Sequence, residues 1–198
     1  MLTGGSTPRR SYELAAALER DWSGVELWWS DERCVPPDDE KSNYAMAKRA
    51  LLDHVSVGAA HRMRGELGKE DGAASYDQEL GSLDRFDLVL LGLGPDAHVA
   101  SLFPGQDTLE VSDRAVVGVP EAGHEPYVPR ITLTLPVLRG ARQVVFLVAG
   151  SGKAEAVERA FSSDTPDPSA PGSMVRPSDG SLTLLLDEAA ASRLNRAS

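Results

Sequence analysis

Cysteine is nearly absent from this sequence, which contains only Cys34, and aromatic residues make up just 6% of the chain. A single cysteine excludes an intrachain disulfide and favours a reducing compartment. No apolar run approaches the roughly 20 residues that span a membrane, and no signal peptide precedes the first motif. We therefore expect a cytoplasmic protein that does not associate with membranes.

Basic residues are also scarce relative to acidic ones. The chain has 20 lysines and arginines against 30 aspartates and glutamates, and its net charge is −10. This balance argues against a general nucleic-acid binder and against a protein held on an anionic membrane. No histidine or cysteine spacing matches a metal-ligand set, and there is no Gly-x-Ser-x-Gly elbow. We expect no metal, no other cofactor and no serine nucleophile.

The arrangement of apolar residues is that of an α/β protein. The 198 residues, 41% of them hydrophobic, suffice for one sizeable core, so we predict one domain over residues 1–198. Apolar runs such as 25–29, 86–91 and 143–149 alternate with helical patterns. This alternation predicts a mostly parallel sheet with helices on both faces. The same patterns predict a loop over residues 65–72 and a terminal helix over residues 187–194.

The stretch from residue 86 to residue 105 organises the chain. An almost continuous apolar run ends at Gly92, which is typical of a strand buried on both faces. Asp96 and His98 follow on a loop, where open α/β sheets bind their ligands. Residues 99–103 suit a short helical turn, whose dipole would favour the neutral imidazole. His98 is therefore a candidate proton acceptor.

The beginning of the sequence resembles a phosphate-binding loop. Gly4, Gly5, Ser6 and Thr7 lead into a helical pattern, and Pro8 suits the first helical turn. Backbone N–H groups of a glycine-rich loop at a helix N-terminus attract phosphate. We expect this loop to bind an anionic ligand, although a plain N-terminal turn has the same composition.

Polar or glycine-rich groups stand at four strand ends. They are Asp31-Glu32-Arg33, the loop of Asp96 and His98, Arg130, and Gly150-Ser151-Gly152-Lys153. Arg130 precedes its strand, so it reaches the others only if that strand runs antiparallel or its loop folds over. The three cations Arg33, Arg130 and Lys153 fit a phosphorylated ligand. His124 is expected to be a surface residue.

These motifs, taken in order, resemble the 6-phosphogluconolactonase family of sugar-phosphate lactone hydrolases. The matching runs are Gly4-Gly5-Ser6-Thr7-Pro8, Asp31-Glu32-Arg33-Cys34-Val35-Pro36, Ser42-Asn43-Tyr44, Gly92-Leu93-Gly94-Pro95-Asp96 with His98, Ala100-Ser101-Leu102-Phe103-Pro104-Gly105, Arg130-Ile131-Thr132-Leu133-Thr134 and Gly152-Lys153. The resemblance covers nearly the whole chain. It implies a three-layer α/β/α fold, Rossmann-like, related to glucosamine-6-phosphate deaminases and ribose-5-phosphate isomerases.

The resemblance also implies a metal-free hydrolase that acts on a phosphosugar lactone. We expect a monomer or weak homo-oligomer. The loop of Gly4, Gly5, Ser6 and Thr7 would hold the 6-phosphate, with Arg33, Arg130 and Lys153 as its candidate cationic partners. His98 would take a proton from the attacking water. Asp96 would orient the imidazole or bind a sugar hydroxyl, and Asp31 completes the predicted binding set.

The chain departs from the family pattern at three places. Ala97 and Val99 stand where the family usually has glycine and threonine. If position 97 needs positive φ, alanine costs on the order of 1–2 kcal/mol there. Loss of the threonine hydroxyl would remove a hydrogen bond near the substrate. Only Met1-Leu2-Thr3 precede the glycine-rich loop, where the family generally carries a helix and a strand, so we expect an uncovered strand edge.

Two other functions remain open at this point. One is an aldose–ketose isomerase or deaminase acting on an amino-sugar phosphate, although such enzymes carry Asp-Glu-Tyr where this chain has Asp31-Glu32-Arg33. The other is a non-catalytic module that binds a sugar phosphate, which the short segment before the glycine-rich loop and the changes at Ala97 and Val99 favour. Ammonia release from glucosamine 6-phosphate would identify the isomerase or deaminase. Ligand binding without turnover would identify the non-catalytic module.

Overall fold

The computed structural model describes residues 1–18, 20–81 and 83–194 of the chain. Strands and helices alternate along it, as the sequence pattern predicts. The strands are β1 Glu26–Trp28, β2 Asp31–Arg33, β3 Ala59–His61, β4 Leu88–Leu91, β5 Val116–Val119, β6 Arg130–Leu133, β7 Gln143–Val148 and β8 Ser181–Leu186. The helices are α1 Ser6–Ala16, α2 Asn43–Ala47, α3 Lys69–Leu80, α4 Leu135–Arg139 and α5 Ala154–Phe161. The predicted α/β class is confirmed.

Parallel pairing unites most of the strands. β1 pairs with β3, and β4, β7 and β8 pair in that order, all of them parallel. The run 144–148 of β7 is almost entirely buried because this strand lies between β4 and β8. A central parallel strand is covered on both faces, which explains its continuous apolar sequence.

Residues 1–2 join the two parallel sheets. The Leu2 N–H donates to the Trp28 carbonyl at 2.7 Å, and the Ser30 N–H donates to the Leu2 carbonyl at 2.9 Å. On the other side, the Leu90 N–H donates to the Met1 carbonyl at 3.1 Å. These residues form a bridge rather than a full strand. The expected uncovered edge between β1 and β4 is not found, because both strands hydrogen-bond to this short segment.

A three-stranded antiparallel sheet lies beside the parallel one, with the order β2-β6-β5. The chain passes from β1 into β2 through two residues, and the Leu133 N–H of β6 donates to the Ser30 carbonyl at 2.9 Å. In this register Arg33 at the end of β2 pairs with Arg130 at the start of β6. Because β6 runs antiparallel to β2, Arg130 at the start of β6 lies beside the end of β2. This direction is one of the two conditions under which Arg130 was expected to reach the site.

Buried aromatic residues tie helix α3 to both sheets. Tyr76 of α3 is fully buried; its hydroxyl accepts from the Trp29 N–H at 2.9 Å and donates to the His61 carbonyl at 3.1 Å. The Trp28 ring lies between the His61 ring, which it stacks on at 3.9 Å, and the edge of Phe86. The Tyr76 hydroxyl thus satisfies one backbone N–H directly after β1 and one backbone carbonyl at the end of β3.

Three local predictions are wrong. Helix α3 begins at Lys69, inside the predicted loop 65–72, because Glu70 and Asp71 stabilise its first turn. Residues 99–102 form a tight turn closed by the Val99–Leu102 bridge, so no helix follows His98. Residues 187–194 form turns rather than a terminal helix. Among the described residues, no helix has the length and apolarity to cross a bilayer.

Candidate active site

One cavity, of about 230 Å³, opens where the carboxyl ends of the parallel strands meet the antiparallel sheet. Nine of the ten predicted site residues line it: Gly4, Gly5, Ser6, Thr7, Asp31, Arg33, His98, Arg130 and Lys153. The tenth, Asp96, lies behind His98 and bonds to it. The structure therefore brings the predicted set together around one space.

His98 and Asp96 form a hydrogen-bonded pair on the loop that follows β4. The imidazole Nδ1 lies 2.5 Å from Asp96 Oδ1, and the same oxygen accepts from the His98 backbone N–H at 3.1 Å. Because a carboxylate only accepts, Nδ1 carries the proton and Nε2 is left as a proton acceptor. A Cβ on Gly94 would lie 2.1 Å from His98 Nδ1, so only glycine leaves room for this pair.

The charge state of Asp96 suits this arrangement. Burial alone would raise the pKa of Asp96, but the hydrogen bonds and the charge of His98 outweigh it and lower the pKa to about 2. The carboxylate is thus ionised at neutral pH. An ionised Asp96 fixes the orientation of the imidazole through the Nδ1 hydrogen bond, and it would stabilise an imidazolium if His98 accepted a proton.

The backbone of this loop is strained on both sides of His98. Ala97 has φ 66° and Ala100 has φ 50°, in the left-handed region that alanine rarely adopts. Ala97 is fully buried, and its carbonyl accepts from the Gly172 N–H at 2.9 Å. Val99 is buried in the core and does not line the cavity. The predicted loss of a substrate hydrogen bond at position 99 is therefore wrong, because that side chain faces the core.

The glycine-rich loop meets the cavity at the start of α1. Gly5 has φ 113° and precedes the first helical residue, while the first turn carries no acidic residue and no side-chain cap. Its N–H groups are therefore available to an anion. Gly4 packs so tightly against Asn43 that a Cβ would lie 2.0 Å from Asn43 Oδ1. The loop is thus held against α2 as well as against β1.

Three cations reach the cavity from different directions, each bonded to a backbone carbonyl. Lys153 Nζ donates to the Leu93 carbonyl at 2.7 Å, and an Arg33 guanidinium N–H donates to the Lys41 carbonyl. Arg130 is more fully engaged, because Nη2 donates to the His124 and Pro126 carbonyls at 2.8 and 3.1 Å. Burial lowers the pKa of Lys153, and the nearby Asp96 carboxylate partly opposes this effect.

A buried network fixes the far wall of the cavity. Asp31 is 4% exposed, and its carboxylate accepts from Ser101 Oγ at 2.7 Å and from Asn43 Nδ2 at 3.2 Å. The Ser101 N–H donates to Thr132 Oγ1 on β6 at 3.2 Å. Asp31 thus links β2, α2 and the His98 loop. Because these hydrogen bonds occupy its carboxylate, Asp31 is suited to positioning the neighbouring elements as well as to contacting a ligand.

Asn43 and His124 are among the cavity residues that the sequence did not identify as part of the site. Asn43 lines it, and its position follows from Glu32, whose buried carboxylate accepts from the Asn43 N–H at 2.7 Å. His124, expected at the surface, also lines the cavity, and its ring centroid lies 5.6 Å from that of His98. One feature of the sequence could have predicted this position: His124 is six residues before Arg130. If β6 runs antiparallel, the loop before Arg130 lies at the site.

The donor set of the cavity does not resemble a metal centre. Among the described residues, no group of three or more histidine, cysteine, aspartate or glutamate side chains is placed to hold a metal ion. The polar groups that converge instead are an imidazole, guanidinium and ammonium groups, and helix N–H groups. Such groups bind and polarise anionic and carbonyl oxygens.

Residues 1–184 match the model of a family described as glucosamine-6-phosphate isomerases/6-phosphogluconolactonase. The chain belongs to this family. A member from Streptomyces coelicolor, a 6-phosphogluconolactonase, is 41% identical over 219 residues, covering 99% of this chain and 82% of the relative. A 6-phosphogluconolactonase from a Nostoc species is 38% identical, covering 98% and 83% of the two chains.

Solved structures within the 6-phosphogluconolactonase group have the same fold. The Thermotoga maritima protein is 32% identical with a TM-score of 0.83, over 94% of this chain and 84% of that one. The Trypanosoma brucei protein is 27% identical with a TM-score of 0.85, over 98% and 86%. A monomeric glucosamine-6-phosphate deaminase reaches a TM-score of 0.83 at 21% identity, over 97% and 86%, a likeness of fold alone.

Proposed function

We propose that this chain hydrolyses the lactone ring of 6-phospho-D-glucono-1,5-lactone to give 6-phosphogluconate, a step of the oxidative pentose phosphate pathway. One observation carries the proposal. The Asp96-backed imidazole of His98 faces a cavity that also collects a glycine-rich helix N-terminus and three cations. A proton acceptor beside an anion-binding site fits a substrate with a reactive carbonyl at one end and a phosphate at the other.

In the proposed reaction, His98 Nε2 takes a proton from a water molecule while the water oxygen bonds to the carbonyl carbon C1. Cationic groups at the cavity stabilise the negative oxygen of the tetrahedral intermediate. The bond between C1 and the ring oxygen then breaks, and His98 returns the proton to that oxygen. General base catalysis of this kind contributes ~10²–10⁴-fold. The cycle needs no covalent nucleophile.

The phosphate is proposed to bind at the N–H groups of Gly5, Ser6 and Thr7, with Lys153 and Arg33 as its cationic partners. Each of these two cations donates one hydrogen bond to a backbone carbonyl, so other N–H groups remain for a ligand. Arg130 is 2% exposed and its two terminal nitrogens already donate to protein oxygens. We assign Arg130 to holding the loop and supplying positive potential.

The direct test is hydrolysis of freshly generated 6-phosphoglucono-δ-lactone, with the spontaneous rate subtracted, by protein shown to be folded by circular dichroism. We expect turnover that saturates with substrate, and a far higher KM for glucono-δ-lactone, which lacks the phosphate. Equal KM values for the two lactones would contradict the proposed phosphate site. Absence of turnover by folded protein would contradict the proposed reaction.

The two other functions predict different results in an ammonia-release assay and in a binding assay. An amino-sugar-phosphate deaminase would release ammonia from glucosamine 6-phosphate, which this account does not expect. A non-catalytic module would bind 6-phosphogluconate in calorimetry without accelerating lactone hydrolysis. Identities of 38–41% to proteins named 6-phosphogluconolactonase favour the hydrolase over the deaminase. The intact His98–Asp96 pair favours it over the non-catalytic module.

A further inference from the structure

His124 is a second imidazole in the cavity, supplied by a different part of the chain from His98. It lies on the loop between β5 and β6 and is partly buried. Its ring centroid lies 5.6 Å from that of His98, with 47° between the ring planes. Two imidazoles at this separation can contact neighbouring atoms of one small ligand.

The hydrogen bonding of His124 defines what its free nitrogen can do. Nδ1 lies 3.0 Å from the Glu125 carbonyl oxygen. A carbonyl oxygen only accepts, so Nδ1 carries the proton of the neutral ring and Nε2 is a hydrogen-bond acceptor. No group among the described residues hydrogen-bonds to Nε2. The ring therefore presents an acceptor that the protein itself does not use.

The main chain at His124 is anchored independently of the side chain. Its carbonyl accepts from Arg130 Nη2 at 2.8 Å, and the same nitrogen bonds to the Pro126 carbonyl. Arg130 also packs over the Phe103 ring, which lies against His98. A buried arginine thus fixes this part of the loop beside the base, while the imidazole remains free for a ligand.

We propose that His124 determines specificity by accepting a hydrogen bond from the C2 hydroxyl of the sugar lactone; this rests on the proposed function. During hydrolysis, C1 must lie beside the water held by His98. Besides the carbonyl oxygen, the polar atoms nearest to C1 are the ring oxygen and the hydroxyl oxygen on C2. A ring oxygen has no proton to give to an unprotonated nitrogen, whereas the C2 hydroxyl has one.

The test compares two substrates, the phosphorylated gluconolactone and its 2-deoxy analogue, with the unsubstituted protein and with His124→Ala. One neutral hydrogen bond corresponds to about tenfold in kcat/KM. We expect the unsubstituted protein to prefer the hydroxylated lactone by about this factor. His124→Ala should lose most of its activity on that lactone, keep its activity on the 2-deoxy lactone, and so lose the preference.

Two further variants separate recognition from structure. His124→Gln places an amide oxygen, also an acceptor, on the same loop and should retain part of the preference. His54→Ala removes an exposed histidine whose ring also bonds to a backbone carbonyl, and should retain all of it. Equal losses on both substrates in His124→Ala, or an unchanged preference, would overturn the inference. Absence of turnover by the unsubstituted protein would overturn the proposed function, and this inference with it.

Discussion

The two sheets supply the cavity with different kinds of chemistry. Loops of the parallel sheet bring the base His98, the glycine-rich loop of α1 and Lys153. The antiparallel sheet and its loop bring Arg33, Arg130 and His124, to which we assign binding rather than proton transfer. Both regions are proposed to bind the phosphate, but only the parallel region supplies a proposed proton acceptor. We therefore expect substitution of His98 to change kcat and substitution of Arg33 to change KM.

The largest expected effect belongs to the parallel region. His98→Gln removes the proton acceptor and should lower kcat by ~10²–10⁴-fold while KM changes little. Hydrolysis rates corrected for spontaneous opening measure this, with His54→Gln as the matched control. A His98→Gln protein that folds normally and keeps near-normal kcat would remove His98 as the base.

A smaller effect is expected from the antiparallel region. Arg33→Met removes a charged donor to the phosphate and should raise KM for the phosphorylated lactone by about 10–100-fold, since such bonds contribute ~1.5–3 kcal/mol. The unphosphorylated lactone should be unaffected. Arg114→Met, an exposed arginine paired with Asp113, is the control. A fall in kcat without a change in KM would contradict the proposed contact between Arg33 and the phosphate.

Backbone strain at Ala97 should make two alanine-to-glycine variants differ in their free energy of unfolding. Ala97→Gly loses a buried methyl group but relieves a left-handed alanine, which is worth about 1–2 kcal/mol. Ala141→Gly loses an equally buried methyl group at a residue without positive φ. Urea unfolding should therefore show Ala97→Gly to be less destabilised than Ala141→Gly by about 1–2 kcal/mol. Equal losses would show that position 97 carries no strain.

The smallest effect concerns acid stability. The pKa of Asp96 is lowered in the folded state from 3.8 to about 2. Its contribution to the free energy of unfolding is therefore complete above about pH 5 and is lost progressively as the pH falls through the folded pKa near 2. The stability difference between the parent protein and Asp96→Asn should shrink across that interval. A difference that stays constant from pH 6 to pH 2 would show that the pair does not shift this pKa.

Sequence patterns predicted the parallel region better than the antiparallel one, for a physical reason. Asp96 and His98 are two residues apart on one loop, so their pairing needs only local geometry. Asp31 and Ser101 meet because β2 pairs with β6, which carries Thr132 to the His98 loop. Such a contact depends on strand direction and register, which apolar periodicity does not specify.

The same limit explains His124 and the helix predicted after His98. His124 reaches the base only because β6 runs antiparallel, so its local sequence resembles that of any exposed loop. The run 99–103 has the composition of a helical turn, but Val99 and Leu102 are both drawn into the core, and the left-handed Ala100 lies between them. Tertiary packing overrides local propensity at this point.

The most direct measurement is a crystal structure of the protein with 6-phosphogluconate. We expect the C1 carboxylate beside His98 and the C2 hydroxyl against His124. We expect the phosphate at the N–H groups of Gly5, Ser6 and Thr7, with Lys153 and Arg33 as its cationic partners. A phosphate bound away from that helix N-terminus, or a C1 carboxylate remote from His98, would contradict the proposed placement of the substrate.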